Sequence, residues 1–266
     1  MLGGGHGILQ GQYGLLADQL IQARLVLANG SVVTVSNDSN PDLFWAVKGA
    51  GHNFGIVTEY TYRIYDARPN ETWGFEQFVF TGDKIEQLYN VVSVMRETQP
   101  PQVVEFGLVL RLPDIDPVKV RRTSPYTCLS ILFAYTTQPV IIYSIFYDGS
   151  LEEAHEYTAP IRAIETIHAS SQAAPYLDLP GMSGNGDKDL ACQKLSGAQI
   201  FRFPIYLNSY NVTAVREVYD AFSRMMVQEP AFNNSFFLLE GYSVQAVQKI
   251  PADSTAFAHR DDNLLL

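Results

Sequence analysis

The stretch Pro41–Tyr65, PDLFWAVKGAGHNFGIVTEYTYRIY, constrains this chain more than any other. Its acidic and aromatic opening, Asp42-Leu43-Phe44-Trp45-Ala46, reads as a short helical turn that Asn40 or Asp42 can cap. A glycine-rich turn comes next, Gly49-Ala50-Gly51-His52-Asn53-Phe54-Gly55. Residues 56–64 then alternate apolar and polar as a strand does. Glycines at a helix-to-strand junction let backbone approach a flat or phosphorylated ligand, because no Cβ intervenes. The same glycines serve equally well as a helix cap and bulge. The turn alone does not choose between the two.

Composition narrows the class. The 266 residues suffice for one large or two ordinary domains. Apolar content of 47% against 17% charged describes a globular chain with ample core material. Fifteen Tyr and fifteen Phe suit an aromatic-lined pocket or a β-rich core. A net charge of −10 disfavours nucleic acid and anionic membrane as partners. No run reaches the roughly 18 apolar residues of a membrane span. Cys128 and Cys192 can form one disulfide, and neither sits in a metal-ligand pattern, so no metal site is expected. Four Asn-x-Ser/Thr sequons, at Asn37, Asn70, Asn211 and Asn233, lean toward the secretory pathway. Met1-Leu2-Gly3-Gly4-Gly5 offers no signal peptide. A glycine run with no element before it, and a Leu264-Leu265-Leu266 end that enters a strand, both suggest a chain cut from a longer one.

Along the chain, residues 21–27 and 31–35 should pair across Asn29-Gly30. Asn-Gly between alternating apolar runs favours a type I′ turn, which needs positive φ at both central residues. Residues 66–72 form a polar, proline-containing linker. The pattern predicts strands over 73–80, 103–112, 128–135, 140–147, 199–207 and 235–239. It predicts helices over 82–98, 151–168 and 212–227. Ile85, Leu88, Tyr89, Val92 and Met95 fall on one face of the first. Val215, Val218, Tyr219, Phe222 and Met226 share a face of the third, with Asn211 as its cap. Residues 113–126 read as a solvated loop and 178–189 as a long polar one. Strand groups each followed by a helix predict an α+β fold, an antiparallel sheet with helices on one face.

The full wording of Asp42–Thr58, together with Gly3-Gly4-Gly5-His6-Gly7, Tyr13-Gly14-Leu15-Leu16-Ala17-Asp18 and His259-Arg260, resembles the berberine-bridge-enzyme-like oxidases. These are flavoproteins of the vanillyl-alcohol-oxidase type with a PCMH-type FAD-binding fold, and the wording is most similar to fungal members of secondary metabolism. The resemblance implies that residues 1–66 are the later part of an FAD-binding domain and 67–266 a substrate domain incomplete at its end. It implies FAD as cofactor, a small-molecule substrate and hydride transfer from that substrate to the flavin. It places the cradle at Gly3, Gly4, Gly5, His6, Gly7, Tyr13, Gly14, Leu15 and Asp18, then Gly55, Ile56 and Val57. His6 either touches the flavin or fills a polar niche, and His52 is a surface residue. The segment that carries the covalent flavin anchors in many members lies ahead of the stretch matched here.

A flavin oxidase also needs a base for the substrate's OH, NH or phenol proton. Glu240 is the first choice, a carboxylate at the end of an apolar strand, where partial burial raises a pKa toward the working range. Tyr242 is the alternative, as a phenol donor. The competing reading makes Glu240 a structural partner of Arg260 or Lys249. The sequence contains no G-x-S-x-G, H-E-x-x-H, Walker loop or Cys-x-x-Cys, and Gly3–Gly7 is not the G-x-G-x-x-G of a nicotinamide fold. The other functional class is a truncated, non-catalytic relative that holds no FAD and acts as a binding protein.

Overall fold

A computed structural model describes residues 2–68, 71–111, 138–189, 203–232, 234–262 and 264–266. The chain divides into two units. The first comprises Met1–Asn70, Pro100–Val103 and Tyr242–Asn263, and the second comprises Glu71–Gln99, Val104–Gly241 and Leu264–Leu266. Compared with a single cut near residue 66, two later segments join the first unit.

In the first unit, a one-turn helix α1 (Gln10–Tyr13) precedes strands β1 (Leu20–Val26) and β2 (Val32–Ser36). Helix α2 (Pro41–Ala50) and strand β3 (Ile56–Tyr62) complete it, and the sheet order is β2-β1-β3 with antiparallel pairs. The expected hairpin forms, with Val26 opposite Val32 and Gln22 opposite Ser36. Its turn is not type I′: Gly30 alone has positive φ (82°), and the Gly30 N–H donates to Leu27 O at 2.9 Å. This is a three-residue loop with glycine in the left-handed region at its last position. Core residues of β1 do not keep one phase, because Leu20, Ala23 and Leu25 are buried. A register shift against β3 between Leu20 and Gln22 supplies the odd step. Leu20, Ala23, Leu25 and Val35 pack with Phe44 and Val47 of α2.

Asn40 occupies the N-cap position of α2 but does not cap it. It is left-handed (φ 48°), and its side-chain amide donates to Thr34 O at 2.8 Å. Pro41 begins the helix instead, where its missing N–H costs nothing. Lys48 and Gly49 leave helical geometry and turn the chain into β3.

Among the described residues, the second unit holds a seven-stranded sheet of order β7-β4-β6-β5-β9-β10-β8. Its strands are β4 (Trp73–Phe80), β5 (Val103–Leu110), β6 (Val140–Tyr147), β7 (His168–Ala174), β8 (Tyr206–Leu207), β9 (Phe236–Tyr242) and β10 (Leu264–Leu265). The pairs of β4 with β6 and β7, and of β10 with β8 and β9, are antiparallel. Helix α3 (Ile85–Glu97) packs against α4 (Leu151–Arg162) and α6 (Val212–Gln228), so the three make one layer; a short α5 (Leu179–Met182) lies in the expected long loop. All five expected face residues of α3 are buried. On α6, Val215, Tyr219, Phe222 and Met226 are buried, whereas Val218 is exposed. Glu76 on β4 is fully buried and met by Thr158, His155 and Arg162 of α4.

The second expected helix is shorter than its pattern suggests. It ends at Arg162, and His168–Ala174 is a strand. The strand expected over 128–135, and Cys128 and Cys192, which can form one disulfide, lie outside the described residues. Among the described residues, no helix is long and apolar enough to cross a membrane, and no three His, Cys, Asp or Glu converge as a metal site.

Candidate functional site

The glycine loop Gly3–Gly7 takes its shape from residues 14–18. Gly4 and Gly5 have positive φ (108° and 84°). Their carbonyls accept from the Ala17 N–H at 2.9 Å and the Leu16 N–H at 3.0 Å. Asp18 sets that short helical turn, accepting from the Leu15 N–H at 3.0 Å. Gly14 (φ 87°) brings the chain round, with Asp18 Oδ2 3.1 Å from where a Cβ would stand. Tyr13 lies against Tyr65, ring centroids 4.1 Å apart, and Tyr65 donates its hydroxyl to Gln19 at 2.7 Å.

Asp18 also holds the most buried charge of this unit. Arg260 grips it with both nitrogens, at 2.7 and 3.1 Å, and donates to Thr255 Oγ1 and Val247 O as well. Side-chain exposures of 1% and 3% make this a desolvated, bidentate pair. It draws Phe257 inward beside Leu15 and Val247. A Cβ on Gly4 would fall 2.5 Å from the Phe257 ring, and one on Gly49 2.3 Å from the Phe257 nitrogen. These two glycines therefore serve the close approach of segment 256–257. Nearby, the Lys48 ammonium is pushed below its ordinary value by burial, with Arg260 adding to the shift and Asp18 opposing it.

His6 completes the loop. Its Nδ1 lies 2.9 Å from Gln10 Oε1. Its ring stacks on Tyr242 (centroids 5.2 Å, 26°) and meets Phe257 edge-on at 5.7 Å. The structure thus brings together Gly3–Gly7, Gly14, Leu15, Asp18 and Tyr242. Gly55, Ile56 and Val57 are held by another neighbour, the far end of β1, where a Gly55 Cβ would meet Val26 O at 2.5 Å. His52 is exposed.

Two glycines of the loop have open space beside them. A Cβ built on Gly3 or Gly7 meets no atom within 4 Å, so there is open space beside both, although at Gly7 the N–H and the carbonyl are both taken by Gln10. Both residues are exposed, and the Gly4, Gly5 and Gly7 carbonyls are all engaged within the protein.

Glu240 stands within β9 and not at its end, opposite Leu265, and is half-buried. Its neighbour Gly241 is glycine for a packing reason. A Cβ there would fall 2.2 Å from Arg96 Nη1 and 2.5 Å from Glu105 Oε1, the two ends of a buried ion pair at 2.7 Å. Sequence reasoning missed that pair, as it missed Gln10, Phe257 and the partner of Arg260. The i,i+4 spacing of His6 and Gln10 was a usable signal; the long-range pairs left none.

No family model matches the chain. It is 37% identical over 268 residues to the FAD-linked oxidoreductase chry5 of Gibberella zeae, a match covering 100% of this chain and 48% of that protein. Identity and coverage are the same with the FAD-linked oxidoreductase anuG of Penicillium roqueforti. The chain spans about half the length of these curated relatives. Among solved structures, BBE-like 1 of Physcomitrella patens superposes with a TM-score of 0.67 at 20% identity, covering 99% of this chain and 52% of that one. A xylooligosaccharide oxidase from Myceliophthora thermophila gives 0.69 at 18% identity, with the same coverage.

The fold is therefore that of the berberine-bridge-enzyme-like flavoproteins. Throughout its length the chain is a homologue of the fungal FAD-linked oxidoreductases.

Proposed function

We propose that this chain belongs to an FAD-dependent oxidoreductase that oxidises a small, secondary-metabolite-like molecule. The observation that carries this reading is the 37% identity to FAD-linked oxidoreductases over all of the chain. The open space beside Gly3 and Gly7 is consistent with it. When bound, FAD supplies the redox chemistry by accepting a hydride from the substrate. Gly3 and Gly7 admit the cofactor's edge, and Tyr13, Gly14, Leu15 and Asp18 hold the loop in shape. Gly55, Ile56 and Val57 offer backbone from the second glycine turn. Glu240 takes the proton from the substrate's OH, NH or phenol, and Tyr242 serves as a phenol donor. Exposed Asn37 suits glycosylation on a secretory route.

The test is the visible spectrum of the purified chain, before and after addition of FAD and desalting. Flavin bands that survive desalting support the reading. A chain that stays colourless in excess FAD sinks it for this chain and favours the non-catalytic alternative. In the flavin-loaded enzyme, Glu240→Gln should lower kcat by about 10²–10⁴-fold, the usual contribution of a general base. Near-normal turnover would remove Glu240 from the mechanism.

A further inference from the structure

We infer that the second unit encloses a binding site for water between α3 and the sheet, centred on Glu105 and the phenols around it. Two glycines make its room. Gly107 on β5 and Gly241 on the neighbouring β9 bring no side chain, which weakens a strand interior unless another group needs the space. A Cβ on Gly107 would fall 2.1 Å from the Tyr89 hydroxyl, and one on Gly241 2.2 Å from Arg96 Nη1. Both glycines therefore lodge polar groups of α3 at a depth where apolar side chains would otherwise fill the core.

Arg96 donates to Glu105 Oε1 at 2.7 Å, and Glu105 is 1% exposed. Its other oxygen, Oε2, is closed off from solvent and accepts no hydrogen bond among the described residues. The hydroxyls of Tyr89, Tyr143, Tyr157 and Tyr210 are buried and unbonded in the same sense. These groups form one cluster. Tyr89 meets Tyr143 and Tyr210 edge-on, with ring centroids 6.3 and 4.9 Å apart, and the Arg96 guanidinium lies 5.9 Å from the centre of the Tyr210 ring. Burial raises the pKa of all four phenols, and the Glu105 charge adds to each shift. Tyr143 faces Glu105 without meeting it in hydrogen-bond geometry. Buried polar groups of native proteins are bonded, either to protein or to enclosed water. The lining selects the occupant. Four O–H donors and a carboxylate acceptor call for a molecule that both donates and accepts. Arg96 and Glu105 balance in charge, so the site favours neither a cation nor an anion. Water meets both demands, and the roughly three partners it takes are at hand. The site lies within the second unit and does not rest on the flavin reading.

The experiment compares the 266-residue chain with Tyr89→Phe, which deletes one hydroxyl and keeps the ring. Two quantities are read: Tm, and the amplitude of long-lived buried water in ¹⁷O magnetic relaxation dispersion. A hydrated hydroxyl has a hydrogen bond to lose, so Tm should fall by about 2–4 °C. The long-lived water amplitude should fall with it. A dry, unbonded hydroxyl is itself destabilising, so its removal would leave Tm unchanged or raise it, and that result overturns the inference. A lower Tm with an unchanged water amplitude means that the phenols bond directly to protein, and it overturns the inference as well. Tyr210→Phe, at a half-buried position, carries the same test if Tyr89→Phe does not fold.

Discussion

Asp18 and Arg260 are separated by 242 positions yet form the anchor of the first unit. A buried bidentate pair is expensive to break from one side, since the survivor stays charged in a desolvated place. Arg260→Met should cost about 3–5 kcal/mol by denaturant unfolding. The double change Asp18→Asn, Arg260→Met should recover part of that loss. Full additivity of the two would show that the pair is not coupled. Glycine positions allow a sharper contrast. Gly49→Ala forces a Cβ to 2.3 Å from the Phe257 backbone at φ 147° and should lower Tm by several degrees. Gly7→Ala meets nothing within 4 Å, so its Tm should stay unchanged while FAD retention falls. Equal retention in Gly7→Ala and the parent would place the cofactor elsewhere.

Elements differ in how well the sequence announced them. Helix α3 was legible because five apolar residues repeat at helical spacing and all are needed by the core. The α6 cap was legible too: Asn211 Oδ1 accepts from the Ala214 N–H at 3.1 Å. Asn211→Ala should cost about 1 kcal/mol, readable as a shift in denaturation midpoint; no shift would mean that packing alone holds the helix start. Strand β7 was illegible, since His168-Ala169-Ser170-Ser171-Gln172-Ala173-Ala174 has neither apolar alternation nor branched residues. Among the described strands it lies at the sheet's edge, placed by pairing with β4 and not by its own propensity. In α4 the legible signal was the acidic start; the helix stops at Arg162, two residues after an internal proline. At the site, the glycine loop and Asp18 could be read from local wording. Arg260, Phe257 and the Arg96–Glu105 pair could not, because nothing local distinguishes a residue that finds its partner more than 200 positions away from one that finds it nine away.

At the scale of the whole molecule, the chain's buried phenols tie stability to alkaline pH. Tyr89 and Tyr143 in the second unit are 0% and 1% exposed. Burial first, and then the charges of Tyr210 and Glu105, push both phenols well above their ordinary value of about 10. Tyr157 and Tyr210 shift in the same direction, again chiefly by burial. In the unfolded chain these groups ionise near pH 10, whereas in the folded chain they keep their protons. The folded state then binds more protons than the unfolded one, so stability falls as pH rises. It is fully present below pH ~10 and declines above it toward the folded-state values. Tyr89 and Tyr143 alone give a slope of about 3 kcal/mol per pH unit. A domain holding ~5–15 kcal/mol loses that margin within a few pH units. The excess of 28 acidic over 18 basic side chains adds self-repulsion in the same direction. Phenolate absorbance followed with near-ultraviolet circular dichroism should therefore show two phases. One of them is the ionisation of the buried phenols, which comes only as the dichroism collapses. Tyr143→Phe should shallow the pH slope of stability by about 1.4 kcal/mol per unit. Ionisation of every tyrosine in one smooth phase with the dichroism intact would show that these phenols are not closed off from solvent.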